Sequence, residues 1–340
     1  MEKLFNYLHK INSIYNDLLY RNIKFEEIID LKNHLDSENI NIVNEYIINS
    51  DEYKNKEMMN QLYNNILNRE IDKSGYLSYI HKINTNELTF KSIENILYGS
   101  PEFINSKLIG IDKIYYINLD RSRNRNKNMN NMLKNLNVQY ERFKAIDGNE
   151  LNIDNIDFES NYLKKHFLEF INISNNCEIA CTLSHLSLLL KISEENGEYF
   201  LILEDDVNFN NFRYINCNLK KIIDDAPNFD ILLLYKTSNI LPNNLYQSWD
   251  TDYLGTVGYV INKRCLKNFK DKFDFIDNKF ILKKSIKFSS ADKYIYRLFN
   301  TYVYKYNLID TGYDDSTIHP KHLDIHKKSI NKNNYELKNM

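Results

Sequence analysis

The sequence predicts an α/β domain preceded by an all-α module. Three observations carry that prediction. A helical internal repeat fills the first part of the chain and ends near residue 105. From about residue 112, apolar β-rich runs alternate with helical stretches. The composition is 43% hydrophobic and includes 26 Tyr and 18 Phe, which is too aromatic for a disordered chain. The 340 residues suffice for two to three domains and a sizeable core.

Charge and targeting signals narrow the function. The 44 basic and 46 acidic residues leave a net charge of -2, which argues against bulk electrostatic binding of nucleic acid or an anionic membrane. No stretch approaches the ~20 apolar residues of a membrane helix. The first residues, Met1 to Tyr7, lack the apolar segment of a signal peptide. Cys177, Cys181, Cys217 and Cys265 form no disulfide framework, so a cytoplasmic location is expected. The 52 Asn beside only 8 Gly and 4 Pro reflect AT-rich codons. That bias fits a large DNA virus, hence host cytoplasm or virion.

The repeat spans residues 1–105. Tyr15 to Arg21 matches Tyr63 to Arg69, and Ser50 to Tyr53 matches Ser100 to Phe103. Such a period suggests stacked helical units. Leu62, Ile66 and Leu67, and again Ile93, Ile96 and Leu97, have helical spacing. Thr89 and Ser92 are candidate N-caps, and Gly75 and Gly99 candidate helix stops. The second copy, over Lys56 to Asn105, resembles a helical module of unknown function found in bacterial and viral proteins. The resemblance rests on Leu67 to Glu70, Asp72 to Gly75 and Ser100 to Phe103. A packing or docking role is expected, with recognition of a partner or acceptor surface as the alternative.

Further on, Ile114 to Leu119 reads as a strand and Arg121 to Leu136 as a polar helix. Gln139 to Ala145 reads as a second strand, closed by the Asp147-Gly148 turn. Glu178 to Leu190 is a helix with one apolar face, and Glu198 to Leu203 a buried strand. Asp230 to Tyr235 is another strand. Leu254 to Ile261 is a strand with close backbone packing at its glycines. Ala291 to Phe299 is a helix, and residues 321–340 form a loose basic tail.

Three clusters carry chemistry. The strand ending at Leu203 runs into Glu204-Asp205-Asp206. Adjacent carboxylates raise one another's pKa unless a cation compensates, and Mg²⁺ or Mn²⁺ suits carboxylates plus phosphate oxygens. Ligands in open α/β sheets bind outside the carboxyl ends of strands. A solvated acidic turn is the alternative. Next, Asn118, Asp120, Arg121 and Arg125 lie between a strand and a helix N-terminus. There, free N–H groups and arginine forks suit phosphate, and Asn118 and Asp120 suit a ribose or base. A capped surface helix is the plain alternative. Finally, Cys177, Cys181 and His185 share one helix face. They read either as zinc ligands or as two buried cysteines and a satisfied histidine, with Glu178 and His185 near one stripe facing a pocket.

Taken together, Tyr116 to Arg121, Ala145 to Gly148, Glu178 to Leu186, Leu203 to Val207, Gly255 to Ile261 and Ala291-Asp292 resemble glycosyltransferase family 25. That group includes lipooligosaccharide galactosyltransferases and collagen galactosyltransferase-type domains. The resemblance covers about Lys113 to His319 and implies a GT-A-like, Rossmann-type domain over residues 112–320. It implies a nucleoside-diphosphate sugar donor, Mn²⁺ or Mg²⁺, a glycan or protein acceptor, and inversion at the sugar carbon. By position, Asn118, Asp120, Arg121, Arg125, Glu178, His185 and Glu204 would hold the donor. Asp206 and Glu204 would ligate the metal, with the late His319 a further candidate. Asp292, with Asp205, is the catalytic candidate, Asp292 acting as acceptor-side base. Cys177 stands where the family has Gly, and Ser290-Ala291-Asp292 where it has Pro-Val-Asp. The alternative is a silent sugar-binding or structural protein that keeps this fold.

Overall fold

The computed structural model describes residues 2–35, 40–172, 174–238, 240–283 and 287–311, together with Glu336. His319 and the basic tail from Lys321 lie outside the described residues, apart from Glu336. The chain divides into two compact units, Met1–Phe103 and Ile104–Met340.

The first unit is helical. It holds α1 (Glu2–Leu19), α2 (Phe25–Leu35), α3 (Ile40–Asn49), α4 (Asp51–Leu67), α5 (Lys73–Asn84) and α6 (Phe90–Tyr98). The boundary falls inside α7 (Pro101–Lys107). Tyr7, Ile11, Tyr15 and Leu19 recur every fourth residue of α1 and are buried, as a helix stripe requires. The matched segments make matching contacts. Arg21 lies over the Tyr15 ring and pairs with Glu52 at 2.6 Å; Arg69 lies over the Tyr63 ring and pairs with Glu102 at 2.7 Å. Asn12 accepts from the Ile23 N–H, and Asn60 from the Ile71 N–H.

Two turn assignments are corrected. Gly75 is not a helix stop: it is the third residue of α5, and its N–H caps onto Asp72. The stop after α4 is Asn68, held in the left-handed region at φ 54°. Ser92 lies inside α6, whose cap is Thr89. Gly99 does end α6. Ile96 points outward at 45% exposure, while Ile93 and Leu97 are buried.

The second unit is built on a seven-stranded sheet. Its first part runs β1 (Lys113–Asn118), α8 (Arg123–Leu133), β2 (Gln139–Lys144), β3 (Ile156–Phe158), α9 (Asn161–Ile171), α10 (Asn176–Ser193), β4 (Tyr199–Glu204) and β5 (Val207–Asn208). Then follow α11 (Leu219–Asp225), β6 (Ile231–Leu233), β7 (Tyr246–Ser248), β8 (Gly258–Asn262), β9 (Phe273–Ile276) and β10 (Lys279–Leu282). The chain continues through α12 (Ala291–Leu298), β11 (Thr301–Tyr304) and β12 (Asp310–Thr311).

Sheet order is β2-β1-β4-β8-β6-β11-β7. β2, β1 and β4 are parallel, and β8 enters antiparallel between β4 and β6. Every second residue of the central strands (Tyr115 and Ile117, Phe200 and Ile202, Tyr259 and Ile261) joins one core with Leu183, Leu186 and Leu189 of α10. That alternation is the strand period of two. Two small sheets, β3-β10-β9 and β12-β5, flank it. Parallel β1 and β4 therefore end side by side, with Ile117 opposite Glu204.

Candidate active site

A cleft opens at the carboxyl ends of β1 and β4. Arg121, Arg125, Cys177, His185, Glu204 and Asp205 are among the residues that line it. The sequence expected Arg121 and Arg125 one turn apart on a helix. Instead α8 begins at Arg123, so Arg121 lies in the preceding turn, yet both reach the cleft. Arg121 is anchored to Asp147 at 3.1 Å. Gly148, beside it, packs on the start of α10: a Cβ there would come within 2.6 Å of the Cys177 backbone.

The three adjacent carboxylates have different surroundings. Asp205 is buried, accepts from the Asn118 amide at 2.6 Å and pairs with Arg125 at 2.9 Å. Glu204 accepts from the Thr256 hydroxyl at 2.6 Å. Burial, and then the charge of Asp206, push its carboxyl up to about 7. Asp206 is raised mainly by burial, against the opposing pull of Arg125 at 3.7 Å. Its Oδ1 is buried with no hydrogen-bond partner among the described residues. A buried carboxylate oxygen without a donor is costly, and a cation is the natural remedy.

The remaining candidates divide. Asn118 is fully engaged: its amide donates to Asp205 and the Ser122 carbonyl, and its Oδ1 accepts from Arg142. Asp120 pairs with Arg142 and Lys144. Glu178 closes a capping box with Asn175 at the start of α10. None of these three lines the cleft. His185 does line it. Burial pushes its pKa down to about 3, so it is neutral, with Nδ1 3.0 Å from the Tyr259 hydroxyl. Asp292, the second residue of α12, does not line the cleft either; its carboxylate accepts from the Gly255 N–H, the Ser290 hydroxyl and the Lys293 N–H.

Among the described residues no three His, Cys, Asp or Glu side chains converge to hold a metal. The zinc reading of Cys177, Cys181 and His185 is therefore corrected. Burial pushes the Cys181 thiol well up, as for an inert buried cysteine. For a hard divalent ion, the donor set fits one carboxylate, Asp206, with the other ligands from phosphate and water.

Sequence reasoning missed Thr256 and Arg142. Arg142 was within reach: in β2 the alternation puts Arg142 and Lys144 on one face, beside acidic Asp120. Thr256 had no signal, since it meets Glu204 only through the antiparallel β4–β8 pairing.

The sequence profile of glycosyltransferase family 25 (LPS biosynthesis protein) matches residues 111–282, half of the chain. The chain belongs to glycosyltransferase family 25. The cleft residues fall inside the family 25 match, whereas Asp292 falls beyond it. Residues 44–107 match a domain of unknown function.

Relatives agree with the family. A glycosyltransferase 25 family member of Drosophila pseudoobscura pseudoobscura is 31% identical over 121 residues, covering 34% of this chain and 18% of its own. A putative glycosyltransferase of Acanthamoeba polyphaga mimivirus is 30% identical over 178 residues, 47% of this chain and 52% of its own. Human procollagen galactosyltransferase 2 is 29% identical over 172 residues, 45% and 26% respectively. The chain thus spans from about a fifth to about half of the length of these relatives.

Proposed function

We propose that this chain transfers a hexose, galactose or glucose, from a nucleoside-diphosphate sugar to a hydroxyl of a glycan or protein, with inversion. The observation that carries this reading is the strand-end cleft. Two arginines face Glu204 and Asp205 there, and the neighbouring Asp206 keeps a buried oxygen that has no donor among the described residues. Family membership and the galactosyltransferase name of the human relative support the sugar assignment.

In the reaction the sugar C1–O bond to the diphosphate breaks as the acceptor oxygen bonds C1 from the opposite face. The diphosphate leaves with the bonding pair, and the acceptor proton passes to a carboxylate. Arg121 and Arg125 neutralise the departing charge. His185 and Glu204 contact the donor from the cleft wall; Asn118, Asp120 and Glu178 hold the surrounding turns. Mn²⁺ or Mg²⁺, held by Asp206, would add electrostatic stabilisation of the diphosphate. The base is assigned to Asp292 rather than Asp205. Asp205 is tied to Arg125 and Asn118, whereas Asp292 keeps one lone-pair direction after three hydrogen bonds.

Among the described residues no helix is long and apolar enough to cross a membrane. Action in the cytoplasm, or in host cytoplasm or virion for a viral chain, accords with the composition and the mimivirus relative. The helical unit is assigned to partner docking.

The test is a panel of nucleotide sugars with the purified chain, with and without Mn²⁺, following release of nucleoside diphosphate. Metal-stimulated release from one donor is expected. No release, together with no binding of UDP or GDP, would replace this reading with a silent structural protein.

A further inference from the structure

We infer that Thr256 is a positioning residue for Glu204, set by a turn that α12 clamps. The inference rests on the donor-cleft reading above. Glu204 lines the cleft and Thr256 does not. Thr256 is buried, and its hydroxyl donates to Glu204 Oε1 at 2.6 Å. The backbone holds the two together from the other side, since the Glu204 N–H donates to the Val257 carbonyl at 3.0 Å.

The turn leading into Thr256 is fixed at three points. Gly255 has φ +101°, a conformation that side-chain-bearing residues rarely adopt. Its N–H donates to Asp292 Oδ2 at 3.0 Å, and its carbonyl accepts from the Tyr296 hydroxyl at 2.8 Å. Just before it, Leu254 and Thr237 exchange backbone hydrogen bonds. A turn clamped this way delivers one hydroxyl to one carboxylate oxygen, and so fixes the rotamer that Glu204 presents to the cleft. Supporting contacts of this kind hold a binding group in its productive geometry.

The experiment uses the full chain and titration calorimetry, with and without Mn²⁺, of whichever of UDP and GDP the wild type binds. Thr256→Val removes the hydroxyl with little change of shape. It is expected to weaken nucleotide affinity about tenfold, as for one lost hydrogen bond to a charged group, and to raise the donor KM alike while kcat stays within about twofold. Thr256→Ser restores affinity. The double variant Thr256→Val with Glu204→Gln binds no more weakly than Glu204→Gln alone, because Thr256 acts through Glu204.

Wild-type affinity in Thr256→Val, or a double variant weakened by both single effects, overturns the role while leaving the donor reading intact. A wild type that binds neither nucleotide overturns both. If Thr256→Val does not fold, Tyr296→Phe loosens the same turn without touching Thr256. It is expected to weaken nucleotide binding in the same direction, and unchanged affinity there overturns the role.

Discussion

Three consecutive carboxylates at one strand end illustrate how little a residue's type says about its task. Asp205 is neutralised by Arg125 and Asn118, Glu204 is held by Thr256, and Asp206 Oδ1 has no donor among the described residues. Asp206→Asn is therefore expected to abolish metal-stimulated binding of nucleoside diphosphate while the melting temperature holds or rises; calorimetry and a thermal melt check this. Unchanged metal-dependent binding would remove Asp206 from the site. Lys236 gives a second prediction. Its ammonium is buried against the Lys305 carbonyl and the Asn307 side chain, and burial pulls its pKa down to about 7. Between about 7 and the ordinary 10.5 the unfolded chain holds a proton that the folded chain has released. Stability therefore rises with pH through that window and is lost as pH falls toward 7. Urea unfolding at pH 7 and pH 9 should show the wild type gaining about 1 kcal/mol or more relative to Lys236→Met.

At the scale of elements, the packing of the Gly148 turn on α10 is the joint that shapes the cleft. Gly148→Ala would force a Cβ against the Cys177 backbone, an overpacked contact that costs about 1–3 kcal/mol. A lower urea midpoint and weaker nucleotide binding are expected together, because the same backbone lines the cleft. The strands β1, β4 and β8 and helix α10 were legible because each is an apolar run or carries one apolar face. Helix α9 was passed over, although Leu163, Phe167, Phe170 and Ile171 recur at helical spacing behind the Ser160 cap and all four pack into the core. The β9–β10 hairpin did leave a signal. Asp277 and Asn278 both take positive φ, the requirement of a tight two-residue turn, between two Phe- and Ile-bearing runs. In the site, the cleft's location and its arginines were readable from order along the chain. The fates of the individual carboxylates were not, because Thr256 reaches Glu204 only across the β4–β8 pairing, and Asn118 and Arg125 reach Asp205 only across the β1–β4 pairing.

For the molecule as a whole, the division near residue 103 predicts autonomy of the second unit. Ile104 and Leu108 of the α7 segment are buried, and Lys107 donates to the Ile215 carbonyl at 2.7 Å. A shortened chain should therefore begin at Ser100, ahead of α7. It is expected to unfold in one cooperative transition and to bind nucleoside diphosphate with the affinity of the full chain, by calorimetry. Failure to fold would show that the helical unit is needed to complete the second.

The sheet order also bears on how the protein is made. β4 is flanked by β1 on one side and by β8 on the other, and β8 leaves the ribosome long after it. At about 5–20 residues per second, the interval between Glu204 and Gly258 lasts roughly 3–11 s. Throughout it the nascent chain carries Phe200, Leu201, Ile202 and Leu203 on an open strand edge, a template for pairing with neighbouring chains. A chaperone that covers this edge is thus expected to raise the yield of soluble protein, and slower elongation, which lengthens the interval, to lower it.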